Sequence, residues 1–93
     1  MTKYEVRLTN KFKKDYKRIR KQGLPKEELQ KVVELLADGK KLPSHYNDHE
    51  LSGNWSRYRE CHIRPDWLLI YTYYEDTLIL SLTRTGSHSE LFE

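Results

Sequence analysis

Apolar and polar positions alternate at the start of the chain and then change period. Tyr4, Val6 and Leu8 alternate with Glu5 and Arg7, the pattern of a half-buried strand. Thr9 or Asn10 then offers an N-cap, and Phe12, Tyr16 and Ile19 follow at i, i+4 and i+7 with lysine and arginine between them. This predicts an amphipathic helix ending at Gln22, with Gly23 placed for a left-handed turn. Pro25 suits the first turn of a second helix, Glu27 and Glu28 suit its dipole, and Leu29, Val32, Val33 and Leu36 form its apolar stripe up to Gly39. The short link implies an antiparallel helical hairpin. Residues 40–56 are rich in turn formers (Pro43, Ser44, Asn47, Asp48, Ser52, Gly53, Asn54) and read as a long loop holding His45 and His49.

Three strands follow, at about Arg57 to Ile63, Trp67 to Tyr74 and Thr77 to Thr83. The middle one is apolar at both parities, as a central strand covered on both faces should be. Arg84 shares parity with Leu80 and Leu82, so it points inward unless a bulge or loss of strand geometry intervenes. Ser87 can cap a short terminal helical turn ending at Leu91 and Phe92. The predicted fold is α+β in the order β-α-α-β-β-β. A helical hairpin packs on one face of a mainly antiparallel sheet, all within one domain spanning residues 1–93.

Composition narrows this picture. The apolar share is 37%, so the core is modest, and the 12% aromatic content partly compensates. The longest apolar stretch, residues 67–71, is too short to cross a bilayer, and Met1–Glu5 has no apolar h-region, so neither a membrane span nor a signal peptide is expected. Cys61 is alone and forms no internal disulfide, which fits a reducing cytoplasm. Charge is divided along the chain. Residues 1–41 carry 13 Lys/Arg against 6 Asp/Glu, whereas residues 42–93 carry 4 against 8. The cationic front half suits phosphate-rich partners.

All four histidines fall in the second half, and His49, His62 and His88 lie near further polar chemistry. On the strand ending at Ile63, Tyr58, Glu60 and His62 share one face, and Cys61 and Ile63 share the other. If Cys61 and Ile63 face the core, His62 faces outward, with Asp66 just past the strand end. Arg84 and His88 flank Thr85-Gly86-Ser87. Phosphodiester cleavage gives these groups a common purpose. RNA carries its own nucleophile in the 2′-hydroxyl, so a base, an acid and a cation suffice. No histidine pair has a compact metal-ligand spacing, so no metal or cofactor is expected.

The run Leu51-Ser52-Gly53-Asn54-Trp55-Ser56-Arg57-Tyr58-Arg59-Glu60-Cys61-His62-Ile63-Arg64-Pro65-Asp66-Trp67-Leu68-Leu69-Ile70-Tyr71 resembles YafQ-type toxins of bacterial toxin–antitoxin pairs, within the RelE superfamily. The ending Leu82-Thr83-Arg84-Thr85-Gly86-Ser87-His88-Ser89-Glu90-Leu91-Phe92 is similar to theirs as well. The resemblance implies a cytoplasmic, ribosome-dependent mRNA endonuclease that cuts in the A site by 2′-hydroxyl attack without a metal. It also implies a cognate antitoxin as partner, in a higher-order hetero-oligomer. Carried over residue by residue, it makes His49, His62, Asp66, Arg84 and His88 the catalytic set and Phe92 a base-stacking aromatic. Within that set, His88 is expected to transfer a proton with Asp66 or His62 as counterpart, and Arg84 to stabilise the phosphate in the transition state. The lysine face of Lys13, Lys14, Lys17, Lys21 and Lys31 is expected to meet rRNA phosphates. His45 matches no motif position. Two other functions fit the same fold: a binding-only toxin such as a gyrase poison, which needs no histidine cluster, and a catalytically silent RNA- or partner-binding module.

Overall fold

Residues 2–92 are described by a computed structural model. Its elements are β1 (Glu5–Leu8), α1 (Asn10–Lys21), α2 (Lys26–Ala37), β2 (His49–Glu50), β3 (Arg59–Arg64), β4 (Trp67–Tyr74), β5 (Ile79–Gly86) and α3 (His88–Phe92). The strands form one sheet in the order β1-β5-β4-β3-β2. β1 runs parallel to β5 and every other pair is antiparallel. Thr9 caps α1 as the sequence predicts, its side chain accepting from the Phe12 amide, and Gly23 is left-handed at φ 84°.

The helices cover one face of the sheet. Phe12, Ile19, Leu29, Val32 and Leu36 pack there against Cys61, Trp67, Leu69, Tyr71, Leu80 and Leu82. The opposite face carries a smaller apolar cluster of Leu68, Ile70 and Leu91, flanked by Leu51, Trp55 and Tyr58. β4 is therefore buried on both sides, which is why it lacks alternation.

The structure revises the sequence reading in four places. The loop over 40–56 is interrupted by a 3₁₀ turn at Ser44–Tyr46 and by the two-residue strand β2, in which His49 opposes Glu60. A strand this short leaves no alternation to read. β3 begins at Arg59 rather than near Arg57. β5 begins at Ile79 and runs through Gly86, past the predicted end at Thr83. Finally, Val6 and Leu8 are 37% and 45% exposed although Tyr4 is buried, because β1 is an edge strand that the hairpin only partly covers.

The question left open at Arg84 is settled by a bulge. Ile70 opposes Arg84 while Tyr71 opposes Leu82, so Thr83 is the extra residue. Parity changes across it. Leu80 and Leu82 face the helices, and past the extra residue Arg84 stands opposite Ile70. A second irregularity at Ile63 precedes the turn that carries Asp66.

Candidate active site

The face opposite the helices gathers the histidines, and strand register explains how. His49 on β2 pairs with Glu60 on β3, and His62 lies two residues further along β3 on the same face. Glu60 Oε1 sits 3.5 Å from His49 Nε2 and 3.3 Å from His62 Nε2. Each imidazole is fixed from behind, with Nδ1 of His49 2.7 Å from the Asn47 carbonyl and Nδ1 of His62 3.3 Å from the Pro65 carbonyl. A carbonyl can only accept, so both Nδ1 atoms carry hydrogen and both Nε2 atoms face the carboxylate. Glu60 is only 4% exposed, so the two imidazoles face a carboxylate that is sheltered from water.

A second unit lies alongside. The ring centroids of His62 and His88 are 5.8 Å apart. His88 sits at the start of α3, where Asp66 Oδ1 is 2.9 Å from its Nδ1 and accepts from its backbone N–H at 3.0 Å. These two contacts, the backbone N–H first, hold the Asp66 carboxyl below its ordinary range. An ionised Asp66 keeps hydrogen on Nδ1 and leaves His88 Nε2 to face solvent. Beyond His88 the aromatic rings of Phe92, Trp55 and Tyr58 follow one another at 6.4, 5.7 and 5.4 Å.

Short-range packing and hydrogen bonds present α3. Leu91 packs on Leu68 and Ile70. Ser87 and Glu90 form a capping box, the Ser87 amide donating to Glu90 Oε1 at 2.9 Å and the Glu90 amide to Ser87 Oγ at 3.2 Å. Gly86 has φ 151°, and a Cβ there would lie 2.6 Å from an Arg18 guanidinium nitrogen and 2.9 Å from Glu90 Oε1. Another residue would be strained at this φ and would displace both side-chain tips.

Of the residues expected from sequence, His49, His62, Asp66, His88 and Phe92 share this face. The Arg84 guanidinium stands apart from them. It is held by the buried Asp15 of α1, with Nε 2.6 Å and Nη2 3.1 Å from the carboxylate oxygens. Ile70, covered by Leu91, lies between Arg84 and Glu60 in the register. The five lysines lie on α1 and α2, the helices that cover the other face of the sheet. His45 packs beside Tyr46 at 4.1 Å between ring centroids. The sequence reading passed over Glu60 and Asp15. Glu60's parity with His62 was visible in advance, and its burial was not.

His49 Nε2, Glu60 Oε1 and His62 Nε2 also form the donor set best suited to a cation among the described residues, lying within 4.8 Å of one another. The donors come from β2 and β3, so no sequence spacing announces them.

The fold is a small α+β domain that gathers histidines and carboxylates on the sheet face opposite the helices. A family model described as a bacterial toxin of the type II toxin–antitoxin system, YafQ, matches residues 4–93. The chain belongs to that family. It is 34% identical to the mRNA interferase toxin YafQ of Escherichia coli K12 over 93 residues, covering 99% of each chain. Among solved structures it is similar to the toxin of the E. coli DinJ-YafQ toxin–antitoxin complex, with TM-score 0.89 and 34% identity over 98% of this chain and 99% of that one. A metal-bound toxin from Helicobacter pylori superposes with TM-score 0.91 at 42% identity, over 99% and 100% of the two chains.

Proposed function

We propose that this toxin is an mRNA endonuclease whose two proton-transfer units act on opposite sides of one scissile phosphate. The observation that carries this reading is the 5.8 Å separation of the His62 and His88 rings, each belonging to a different carboxylate–histidine unit. The 2′-hydroxyl gives its proton to the His49–Glu60–His62 unit. The resulting 2′-oxygen attacks phosphorus, and the bond from phosphorus to the 5′-oxygen breaks. His88 Nε2 supplies the proton to that leaving oxygen. The products are a 2′,3′-cyclic phosphate and a 5′-hydroxyl, so every proton is accounted for. Asp66 suits His88 to the acid role because it holds the ring at Nδ1 and leaves Nε2 to meet the leaving oxygen. With Arg84 held by Asp15, charge at phosphorus is met by the imidazolium of the first unit. Phe92 and Trp55 offer a stacking surface for a base beside the cut.

The lysines on the opposite side of the sheet fit a second role, contact with rRNA while the histidine face meets the message in the A site. Ribosome dependence follows naturally, since a shallow, open face positions RNA poorly without help. Ribosomes would place the toxin in the cytoplasm. No helix among the described residues is long and apolar enough to cross a membrane.

A cognate antitoxin is the proposed protein partner. Val6 and Leu8 are exposed on the free edge of the sheet and line a groove of about 330 Å³ with Phe12, Tyr16, Val33 and Leu82. Lys13 and Lys17 stand beside Leu8 and Phe12 at its rim. An antitoxin segment with alternating apolar and acidic side chains would satisfy both features.

Primer extension on ribosome-bound and naked mRNA tests the nuclease reading. Cleavage should require ribosomes, and a variant carrying both His62→Ala and His88→Ala should bind ribosomes without cutting. Equal cutting of naked RNA would contradict the ribosome-dependent mechanism. Retained growth inhibition by the double variant would point instead to a binding-only toxin.

A further inference from the structure

Asp15 is a charged side chain on α1 that the proposed chemistry does not use, yet it is 2% exposed and fully engaged. Its carboxylate receives Arg84 through two nitrogens, Arg18 Nη1 at 3.0 Å and the Thr85 amide at 3.2 Å. Arg18 continues the connection. Its Nη2 donates to the Thr85 carbonyl at 3.0 Å, and its Nε lies 3.0 Å from Glu90 Oε2, which also accepts from Gln22 at 2.9 Å. Thr85 is held from its other side as well: its hydroxyl donates to the Leu68 carbonyl at 2.7 Å and accepts from Trp67 Nε1 at 3.0 Å. Arg84, Thr85 and Glu90 are thus tied to α1, and Thr85 to β4 as well. At the end of the turn stands His88.

From this network we infer that Asp15 and Arg84 are a positioning pair. Anchored to α1, Arg84 fixes the end of β5 so that His88 meets Asp66, and it acts through this turn instead of through contact with RNA. This rests on the nuclease reading above and alters one part of it, the work given to the arginine of the Arg-Thr-Gly-x-His motif. Three observations support it. The bulge at Thr83 immediately precedes the arginine that meets Asp15. The planar fork of Arg84 meets Asp15 through two bonds, a geometry that lysine cannot reproduce. The guanidinium is separated from Glu60 by the Leu91-capped Ile70.

The two roles for Arg84 predict different behaviour in a double-mutant cycle. Asp15→Asn, Arg84→Gln and the double variant are compared for ribosome-dependent cleavage at a temperature where circular dichroism shows each to be folded. A positioning pair predicts that each single substitution lowers kcat at least about tenfold while KM for ribosomes stays within about twofold, because geometry is lost at the reacting centre and not across the binding surface. The double variant should then lose no more than about twofold beyond either single one. Wild-type kcat in Asp15→Asn alongside a loss in Arg84→Gln would overturn the proposal, since Arg84 would then be acting on RNA directly. Multiplying losses would overturn it as well.

If Asp15→Asn does not fold, Arg84→Lys carries the test, and wild-type kcat in it refutes the pair. A readout independent of activity separates this inference from the nuclease reading. The Arg84 Nε–H of the wild type and the His88 ring are followed by NMR in wild type and in Asp15→Asn or, failing that, Arg84→Lys. The inference predicts a protected Nε–H in the wild type and displaced His88 ring resonances in the variant. An unmoved His88 spectrum would sink the inference even if the wild type proved to cut no RNA at all.

Discussion

Leu91→Ala isolates the dependence of the chemistry on a five-residue helix. α3 is too short to be stable alone, since helices of this length do not offset the cost of nucleation. It is held by the seating of Leu91 on Leu68 and Ile70, by the Ser87–Glu90 box, and by the contacts of Arg18 and Gln22 with Glu90. Leu91 is 7% exposed and its two principal neighbours are fully buried. Truncating a buried leucine costs roughly 2–5 kcal/mol, and a site at the rim of a small cluster belongs near the lower end, about 2–3 kcal/mol. The capping box contributes on the order of 1 kcal/mol. Removing Leu91 therefore takes away most of what docks α3, and about 2.5 kcal/mol corresponds to roughly 60-fold in the docking equilibrium. Cleavage should fall about 10- to 100-fold, because His88 and Phe92 leave with the helix.

The thermal consequence should be smaller than for an ordinary core leucine. The helix-side cluster does not include Leu91, so global destabilisation is limited to the free energy of docking α3. Leu69→Ala, in the main cluster and fully buried, is the control and should lower Tm by at least about 10 °C. Leu91→Ala should lower it by less than half as much. Amide hydrogen exchange should show faster exchange in α3 with β4 still protected. Wild-type cleavage by Leu91→Ala, or a fall in Tm equal to that of Leu69→Ala, would refute the reasoning.

Four further outcomes are expected. Neutralising Lys13, Lys17 and Lys21 together should weaken ribosome binding and reduce the slope of log K against log salt by about 2–3, with an unchanged slope counting against rRNA contact. Burial alone would raise the carboxyl of Asp15, but Arg84, the Thr85 amide and Arg18 outweigh it and hold it below the ordinary range. A depressed carboxyl stabilises the fold above its unfolded-state pKa and ceases to do so as pH falls through the folded value. Stability should therefore be lost below about pH 4, and Asp15→Asn should flatten that limb of an acid-unfolding curve. Cys61 is completely buried, and burial raises its thiol far above the ordinary range, so thiol reagents should label it only as fast as the protein unfolds. Zinc or copper(II) ions should inhibit cleavage by occupying His49, Glu60 and His62, and chelator should restore it; inhibition undiminished in His49→Ala would place the ion elsewhere.

What the sequence determined by itself is local or periodic. The 3.6-residue stripes of Phe12, Tyr16 and Ile19 and of Leu29, Val32, Val33 and Leu36 announce two helices because each must bury one face. The unbroken run at 67–71 announces a strand covered on both sides, as β4 is. The parity of Cys61 and His62 already assigned the histidine to the face away from the helices, and the motifs around Pro65-Asp66-Trp67 and Arg84-Thr85-Gly86 pointed to the family. What required the fold is long-range. The parity of Arg84 with Leu80 and Leu82 raised a bulge as one option, but only the strand pairing shows that one extra residue sits at Thr83. The pairing of His49 with Glu60 joins positions 11 apart through a two-residue strand, and the pairing of Asp15 with Arg84 joins a helix to a strand across most of the chain. Pattern reports whether a side chain is driven out of water. It does not report which distant group receives a charge that has been driven in, and in this protein those receptors organise the site.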